Sequence, residues 1–213
     1  MAFGSIGRRD TMVKVGFIVE GDTEKQIISS ESFNTLCRSK GIEVISGVLP
    51  ANKKERGKDV FKNAEKLASF AALLYDRGAD CVFCMRDLED LPCITSAKEE
   101  INSTDDNIKK VIVVRQIETW FLADTLLMEH CFGGSFRIMF PETAVPEGIP
   151  KPEEKLKEIS VATRNGRGIG DKLLFAKRLI MNGFSIEHSA QNSPSAAYFL
   201  NKLHSLNRAV DPA

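Results

Sequence analysis

The chain has 213 residues, with 29 Lys and Arg against 29 Asp and Glu, a formal charge of zero, and 43% apolar residues. That composition suits one α/β domain with additions and a full core, and it excludes a global basic field that would draw the molecule to nucleic acid or membrane. No apolar run approaches the ~20 residues of a membrane span, and the start lacks a signal-type hydrophobic region, so a cytoplasmic protein with no membrane partner is expected.

In chain order, residues 1–12 read as a flexible, polar N-terminus, and a natural start at Met12 is conceivable. Val13, Val15, Phe17, Ile18 and Val19 form a β-branched apolar run that predicts a buried strand. It stops at Glu20; Gly21 is expected to turn the chain, and Asp22-Thr23 to cap a helix running to Lys40, with Gly41 as its stop. A second strand is expected over 43–49. A basic loop over 53–58 follows, then a helix capped by Asp59, its apolar side running from Val60 to Leu74 at spacings of three and four. Gly78 ends it. Residues 79–85 predict a third strand, delivering Arg86-Asp87-Leu88-Glu89-Asp90 at its tip.

Ser96-x-x-Glu99 has the form of a capping box. Residues 111–114 predict a fourth strand, after which the apolar spacing turns helical beyond Ile117. This alternation predicts an α/β fold: a Rossmann-like, mostly parallel sheet flanked by helices over 13–131. Residues 132–151, with Gly133-Gly134 and three prolines, read as a loop or linker. Helices around 152–159 and 171–181, and one opened by Ser193-Pro194, predict a helical C-terminal extension (152–213) packed on the domain. From 160 onward seven Lys and Arg stand against three acids.

Five cysteines are an odd number in a cytosolic-looking chain, which argues against disulfides. Cys81-x-x-Cys84 falls inside a predicted strand, where residues three apart face opposite sides; buried thiols fit better than metal ligands. No nucleophilic triad is visible, and His130, His188 and His204 lack metal-ligand spacing.

The informative feature is acidic. Glu20 ends the first strand, and Asp87 and Glu89 end the third. In a parallel sheet both tips reach the same rim, where α/β proteins bind ligands. Two carboxylates ~4 Å apart repel by about 4 kcal/mol at an effective dielectric of ~20. Several together ask for a cation, and hard oxygen donors favour Mg²⁺ or Mn²⁺. Glu24 stands a turn after Glu20, where the helix dipole gives it a structural reason of its own. Glu118 follows the fourth strand, either facing the same rim or serving as a first-turn helix acid with Trp120 in the core. Asp124, nearly opposite Glu118 around a regular helix, cannot share its site. The stretch from Arg164-Asn165-Gly166-Arg167 to Lys172 reads as a mobile surface loop or as a phosphate-binding one, with Arg164 and Arg167 supplying guanidinium forks. Lys172 is the candidate for an electrostatic contact to a substrate phosphate.

Val19-Glu20-Gly21-x-x-Glu24 after one strand and Asp87-x-Glu89 after another resemble the TOPRIM superfamily of topoisomerases, primases and related nucleases. Glu118-x-Trp120 with Asp124, and the helix over 195–203, resemble a stand-alone branch of small TOPRIM-like proteins. Where the family pattern has Asp-x-Asp, this chain has Asp87-x-Glu89, and Asp90 is a possible substitute. The resemblance implies Mg²⁺- or Mn²⁺-dependent phosphodiester chemistry. Glu20 would be metal ligand or general acid/base, Glu24 a second ligand, Asp87 and Glu89 the ligand pair, and Glu118 a third ligand or a group behind them. A nuclease acting on DNA or RNA, in nucleic-acid processing or anti-phage defence, is the leading expectation. The alternatives are a non-catalytic module binding nucleic acid or an ATPase partner, and phosphoryl or nucleotidyl transfer to a small molecule. Homo-oligomerisation stays open.

Overall fold

A computed structural model describes residues 12–55, 57–89, 91–163 and 168–208. Four strands, β1 (Val13–Val19), β2 (Ile42–Val44), β3 (Cys81–Asp87) and β4 (Ile108–Val113), form an all-parallel sheet in the order β2-β1-β3-β4. β-branched and aromatic residues dominate β1 and β4, and both strands are buried over the stretches that run to their C-terminal ends, Val15–Val19 and Val111–Val113, as parallel strands covered on both faces require. The expected α/β class is the one observed. The second strand is shorter than expected: only Ile42–Val44 is regular, and Leu49 returns to pair Ile18 through a single bridge. The third reaches two residues further, so Arg86 and Asp87 belong to the strand itself.

Alternation of side chains along the strands sorts the core into two layers. Val15, Phe17, Val19, Cys81, Phe83, Met85, Val111 and Val113 face one cluster, whereas Ile18, Val82, Cys84 and Ile112 face the other. Cys81 and Cys84 therefore point to opposite faces, both buried, and their thiols are pushed up by burial, to about 11 and about 12.

The helices are more broken than their periodicity suggests. The stretch expected as one helix from Asp22 is two, α1 (Asp22–Ile28) and α2 (Glu31–Ser39). Ser30 intervenes as the α2 N-cap, its hydroxyl accepting from the Phe33 N–H at 3.2 Å. A side-chain cap competes with helix continuation, which is why serine favours helix starts. Gly21, rather than Asp22-Thr23, is the N-cap of α1, without a side-chain bond. Asn63 likewise splits α3 (Asp59–Lys62) from α4 (Ala64–Asp76), accepting from the Lys66 N–H at 2.9 Å. α5 (Ile94–Glu99) is capped by Cys93, so Ser96 lies inside the helix and the expected capping box does not form. Asp124 separates α6 (Glu118–Ala123) from α7 (Thr125–Phe132).

The linker expected over 132–151 is instead structured. It holds α8 (Gly134–Met139) and a 3₁₀ turn, Pro146–Gly148, and Phe136 and Phe140 sit in the core, 5.4 Å apart. Its glycines and prolines punctuate short elements rather than a loop. Beyond it run α9 (Pro152–Thr163), α10 (Lys172–Met181), α11 (Ile186–Asn192) and α12 (Pro194–Arg208). These helices share the cluster that faces β1, β3 and β4. Phe199 of α12 stacks on Trp120 at 5.5 Å and meets Phe17, Phe33 and Phe83 within 6.3 Å. The Trp120 indole N–H donates to Ser195 Oγ at 3.0 Å. No helix of the described residues is long and apolar enough to cross a membrane.

Because α12 completes the core instead of decorating it, Phe199→Ala should cost about 3–5 kcal/mol, read as a shift in a single cooperative urea transition. A loss below about 1 kcal/mol would mean that the C-terminal helices contribute little to the core.

Candidate functional site

Strand parity decides what meets at the rim. Asp87 is two residues beyond Met85 and continues the face covered by α1, α6 and α10, whereas Arg86 points into the opposite layer beside α5. β1 and β3 are direct neighbours in register through Val19 and Met85, so Glu20 and Asp87 emerge side by side. The Asp87 N–H donates to Glu20 Oε2 at 3.3 Å across 67 residues of chain. The two acidic tips expected to converge do so.

Two more carboxyls join them. Glu24, 3% exposed, lies in the first turn of α1, where its side chain folds back so closely that a Cβ on Gly21 would stand 2.7 Å from Glu24 Oε2. Gly21 is extended, at φ −128°, so the glycine provides space for a carboxyl rather than a sharp turn. Glu118, also 3% exposed, opens α6 and faces inward while Trp120 fills the core; the rim position and the first-turn position are the same place. Asp87 Oδ1 and Glu118 Oε2 are sealed from solvent with no hydrogen-bond partner.

One ammonium answers these acids from the same side. Lys172, at the start of α10, lies 3.0 Å from Glu118 Oε1 and 3.1 Å from Glu153 Oε2 on α9. Arg86, 1% exposed, supports the rim from behind, pairing with Glu100 at 2.7 Å and reaching Glu20 Oε2 at 3.9 Å.

Burial pushes all four acids up from the ordinary carboxylate range. Glu24 rises to about 7, chiefly by desolvation, with the charges of Glu118 and Glu20 adding to it. Asp87 is raised well above its usual value by desolvation and then by Glu24, Glu118 and Glu20. Glu20 is raised by desolvation and Glu89, against Arg86 and the Asp87 N–H. Glu118 is raised by desolvation, against Lys172. Desolvation lowers Lys172, but the carboxylates of Glu118 and Glu153 outweigh it and hold the ammonium charged.

Glu89 departs from the expected ligand set. Its backbone is left-handed at φ +48° and its carboxylate pairs with Lys58 at 3.3 Å, at the margin of the centre. Asp124 is structural: its carboxylate caps α7 through the Leu127 N–H at 3.1 Å, accepts the Ser185 N–H at 2.8 Å and stands 3.5 Å from His188. Arg164 and Arg167, and Asp90, lie outside the described residues. Sequence reading passed over Arg86 and Arg115, although each is an arginine directly after a run of apolar strand residues, the signal that could have marked them.

Among the described residues no three acid, histidine or cysteine side chains stand in metal-ligand geometry around one point. The donor set nevertheless suits a hard dication: its donors are all carboxylate oxygens, and oxygens of Asp87 and Glu118 are buried without partners. Comparison with family models, curated proteins and solved structures finds no match to this chain.

Acids whose folded pKa is raised stabilise the fold only while they are protonated, so stability is highest below the unfolded value and falls as pH rises through the folded one. For Glu24 the window runs from 4.5 to about 7 and is worth on the order of 3 kcal/mol. In EDTA, melting temperature should therefore fall between about pH 4.5 and about pH 7, and Glu24→Gln or Asp87→Asn should flatten that fall. Melting curves of wild type that do not fall in this window, or variants that fall as steeply as wild type, would refute the clustering.

Proposed function

We propose that the chain is a divalent-cation-dependent phosphodiesterase of TOPRIM-like type, acting on nucleic acid in the cytoplasm. The observation that carries this reading is the meeting of Glu20 and Asp87, joined by a 3.3 Å hydrogen bond, with buried Glu24 and Glu118 at the C-terminal rim of a parallel sheet. Pure helix capping does not account for acids that end two core strands and share one buried neighbourhood. The resemblance of the Glu20-Gly21-x-x-Glu24 and Asp87-x-Glu89 motifs to TOPRIM proteins supports the same chemistry.

Asp87, Glu118 and Glu24 are the residues that would hold Mg²⁺ or Mn²⁺, with Glu20 beside them. Such an ion supplies neutralisation of phosphate charge and a more acidic bound water. The chain's own groups do the rest. Glu20 Oε2 is pinned by the Asp87 N–H and faced by Arg86, which leaves Oε1 to accept a proton from an attacking water. Its raised pKa brings it closer to neutrality, where a general base works best. Lys172, held charged by Glu118 and Glu153, would offer its ammonium to a phosphate oxygen at the edge of the acids. The walls of Met85, Val113 and Ile117 exclude water behind the acids, which strengthens every electrostatic contact there.

Purified protein incubated with DNA and with RNA should cleave in Mn²⁺ or Mg²⁺ and not in EDTA. Glu20→Gln and Asp87→Asn should each lose on the order of 10²-fold or more in rate. Equal cleavage by wild type and variants would overturn the assignment.

A second reading has one observation in its favour: Lys172 already pairs with Glu118, and the acids are not in ligand geometry. The chain would then be a non-catalytic TOPRIM-like module that binds nucleic acid or an ATPase partner. Calorimetry separates the two, since the module should show no heat of Mn²⁺ binding that Asp87→Asn removes.

A further inference from the structure

The strand tips carry a second charged feature that the acid centre does not use. Beside it runs a cleft of about 460 Å³, whose charged walls are Lys58, Glu89, Arg115, Lys151, Glu153 with Glu154, and Lys157. It adjoins the centre on both sides: Glu153 shares Lys172 with Glu118, and Lys58 and Glu89 both act on the charge of Glu20. Each acid in its wall is already neutralised. Glu89 pairs with Lys58 at 3.3 Å, Glu154 with Lys151 at 2.9 Å and Glu153 with Lys157 at 2.6 Å.

Arg115 is the cation left over. It is half-buried, and among the described residues its guanidinium has no hydrogen-bond or ion-pair partner. Its backbone is left-handed at φ +65°, unusual for a residue with a Cβ. That conformation is held by pairing: the Glu89 N–H donates to the Arg115 carbonyl at 2.9 Å, one step beyond the Leu88 N–H to Val113 bond of the ladder. β3 and β4 thus continue hydrogen-bonding past their regular ends through two residues of positive φ. A strained backbone that holds an unpaired guanidinium in a cleft beside an acid centre is the pattern of a binding group fixed before its ligand arrives. An anion with two or more oxygens matches its fork.

We propose that Arg115 forms a phosphate subsite for a polynucleotide strand, taking the phosphate next to the one that lies at the acid centre. The assignment rests on the phosphodiesterase reading above and adds to it a second point of contact, one that a strand with repeated phosphates can use and a mononucleotide or a small phosphoester cannot. Four carboxyls repel any phosphate that approaches them, so a strand needs a fixed positive group close by. Arg115 provides it, and the lysines that now neutralise Glu89, Glu153 and Glu154 line the path on either side.

Fluorescence anisotropy with 5′-labelled single-stranded 12-mers of thymidylate and of uridylate tests this, with Ca²⁺ in place of Mg²⁺ or Mn²⁺ so that the acids are offset while the strand is not cut. Wild type should bind at least one 12-mer, with thymidine monophosphate failing to compete. Arg115→Asn, which tolerates a positive φ, should bind on the order of tenfold more weakly and lower the slope of log affinity against log salt by about 1. Arg115→Lys should keep the slope and lose part of the affinity, because charge remains and the fork does not. Melting curves confirm that each variant is folded. Equal affinity and slope in Arg115→Asn would overturn the subsite. Hydrolysis of bis(p-nitrophenyl) phosphate in Mn²⁺ separates the two readings. If wild type cleaves this small diester but binds neither 12-mer, the subsite falls and the phosphodiesterase stands. If it does neither, both fall. If Arg115→Asn also loses diester hydrolysis, Arg115 acts on the reacting phosphate and the flanking assignment is wrong.

Discussion

The gathering of four carboxyl groups, Glu24 and Glu118 buried and Glu20 and Asp87 partly buried, at one end of the sheet is the constraint around which this molecule is built. A carboxylate pair ~4 Å apart in an effective dielectric of ~20 repels by about 4 kcal/mol, and desolvation adds to that for each group. The chain offsets this with a small set of fixed partners: the Asp87 N–H on Glu20, Arg86 behind the same carboxylate, and Lys172 against Glu118. What these do not neutralise appears as raised pKa values at Glu24 and Asp87. A centre arranged this way is stable without a ligand only by holding protons or by keeping its lysine close. Either state gives a dication something to displace.

The constraint reaches well beyond the rim. Lys172 must arrive on a helix that the sheet does not itself supply, and α10 is held in place by Phe175, Ala176 and Leu179 in the same cluster as β1 and β3. Glu153, the second partner of Lys172, arrives on α9, whose Leu156 and Ile159 are buried there too. The C-terminal helices therefore serve both as the lid of one core layer and as the carriers of the countercharge. Trp120 joins these roles: its indole donates to Ser195 and stacks on Phe199, while Glu118, two residues earlier, faces the acids.

How much of this could be read from the residues differs by level. The four strands and the meeting of Glu20 with Asp87 follow from apolar runs ending in acids, because a parallel sheet leaves little choice about where its tips go. The helix breaks at Ser30, Asn63 and Asp124 were hidden, because apolar spacing persists across a capping residue while the backbone does not. Proline and glycine over 132–151 suggested a loop because composition marks where the chain turns, not whether Phe136 and Phe140 find a core between the turns. An extended strand would make Glu89 the partner of Asp87; a positive φ at Glu89 turns it to Lys58 instead. Gly21 shows the opposite case: the right residue was singled out for the wrong reason, since the requirement is room for the Glu24 carboxyl rather than a turn.

A net charge of zero argues against attraction of polyanions by the molecule as a whole, but a global sum says nothing about a cleft. Charges separated by more than about 8 Å at physiological salt act nearly independently, so a strand near the rim responds to the local arrangement alone. There the lysines are each matched by an acid within 3.3 Å, and such exposed pairs are weak enough to open when a phosphate offers a better partner. Arg115 has no such pair to break, and its backbone is held by the hydrogen bond that follows the paired ends of β3 and β4. The same ladder that aims Asp87 into the acid centre thus aims a guanidinium into the cleft beside it. The backbone positions from which Asp87 and Arg115 project are set by strand pairing rather than by flexible loops, which suits a site acting on a repeating phosphate chain.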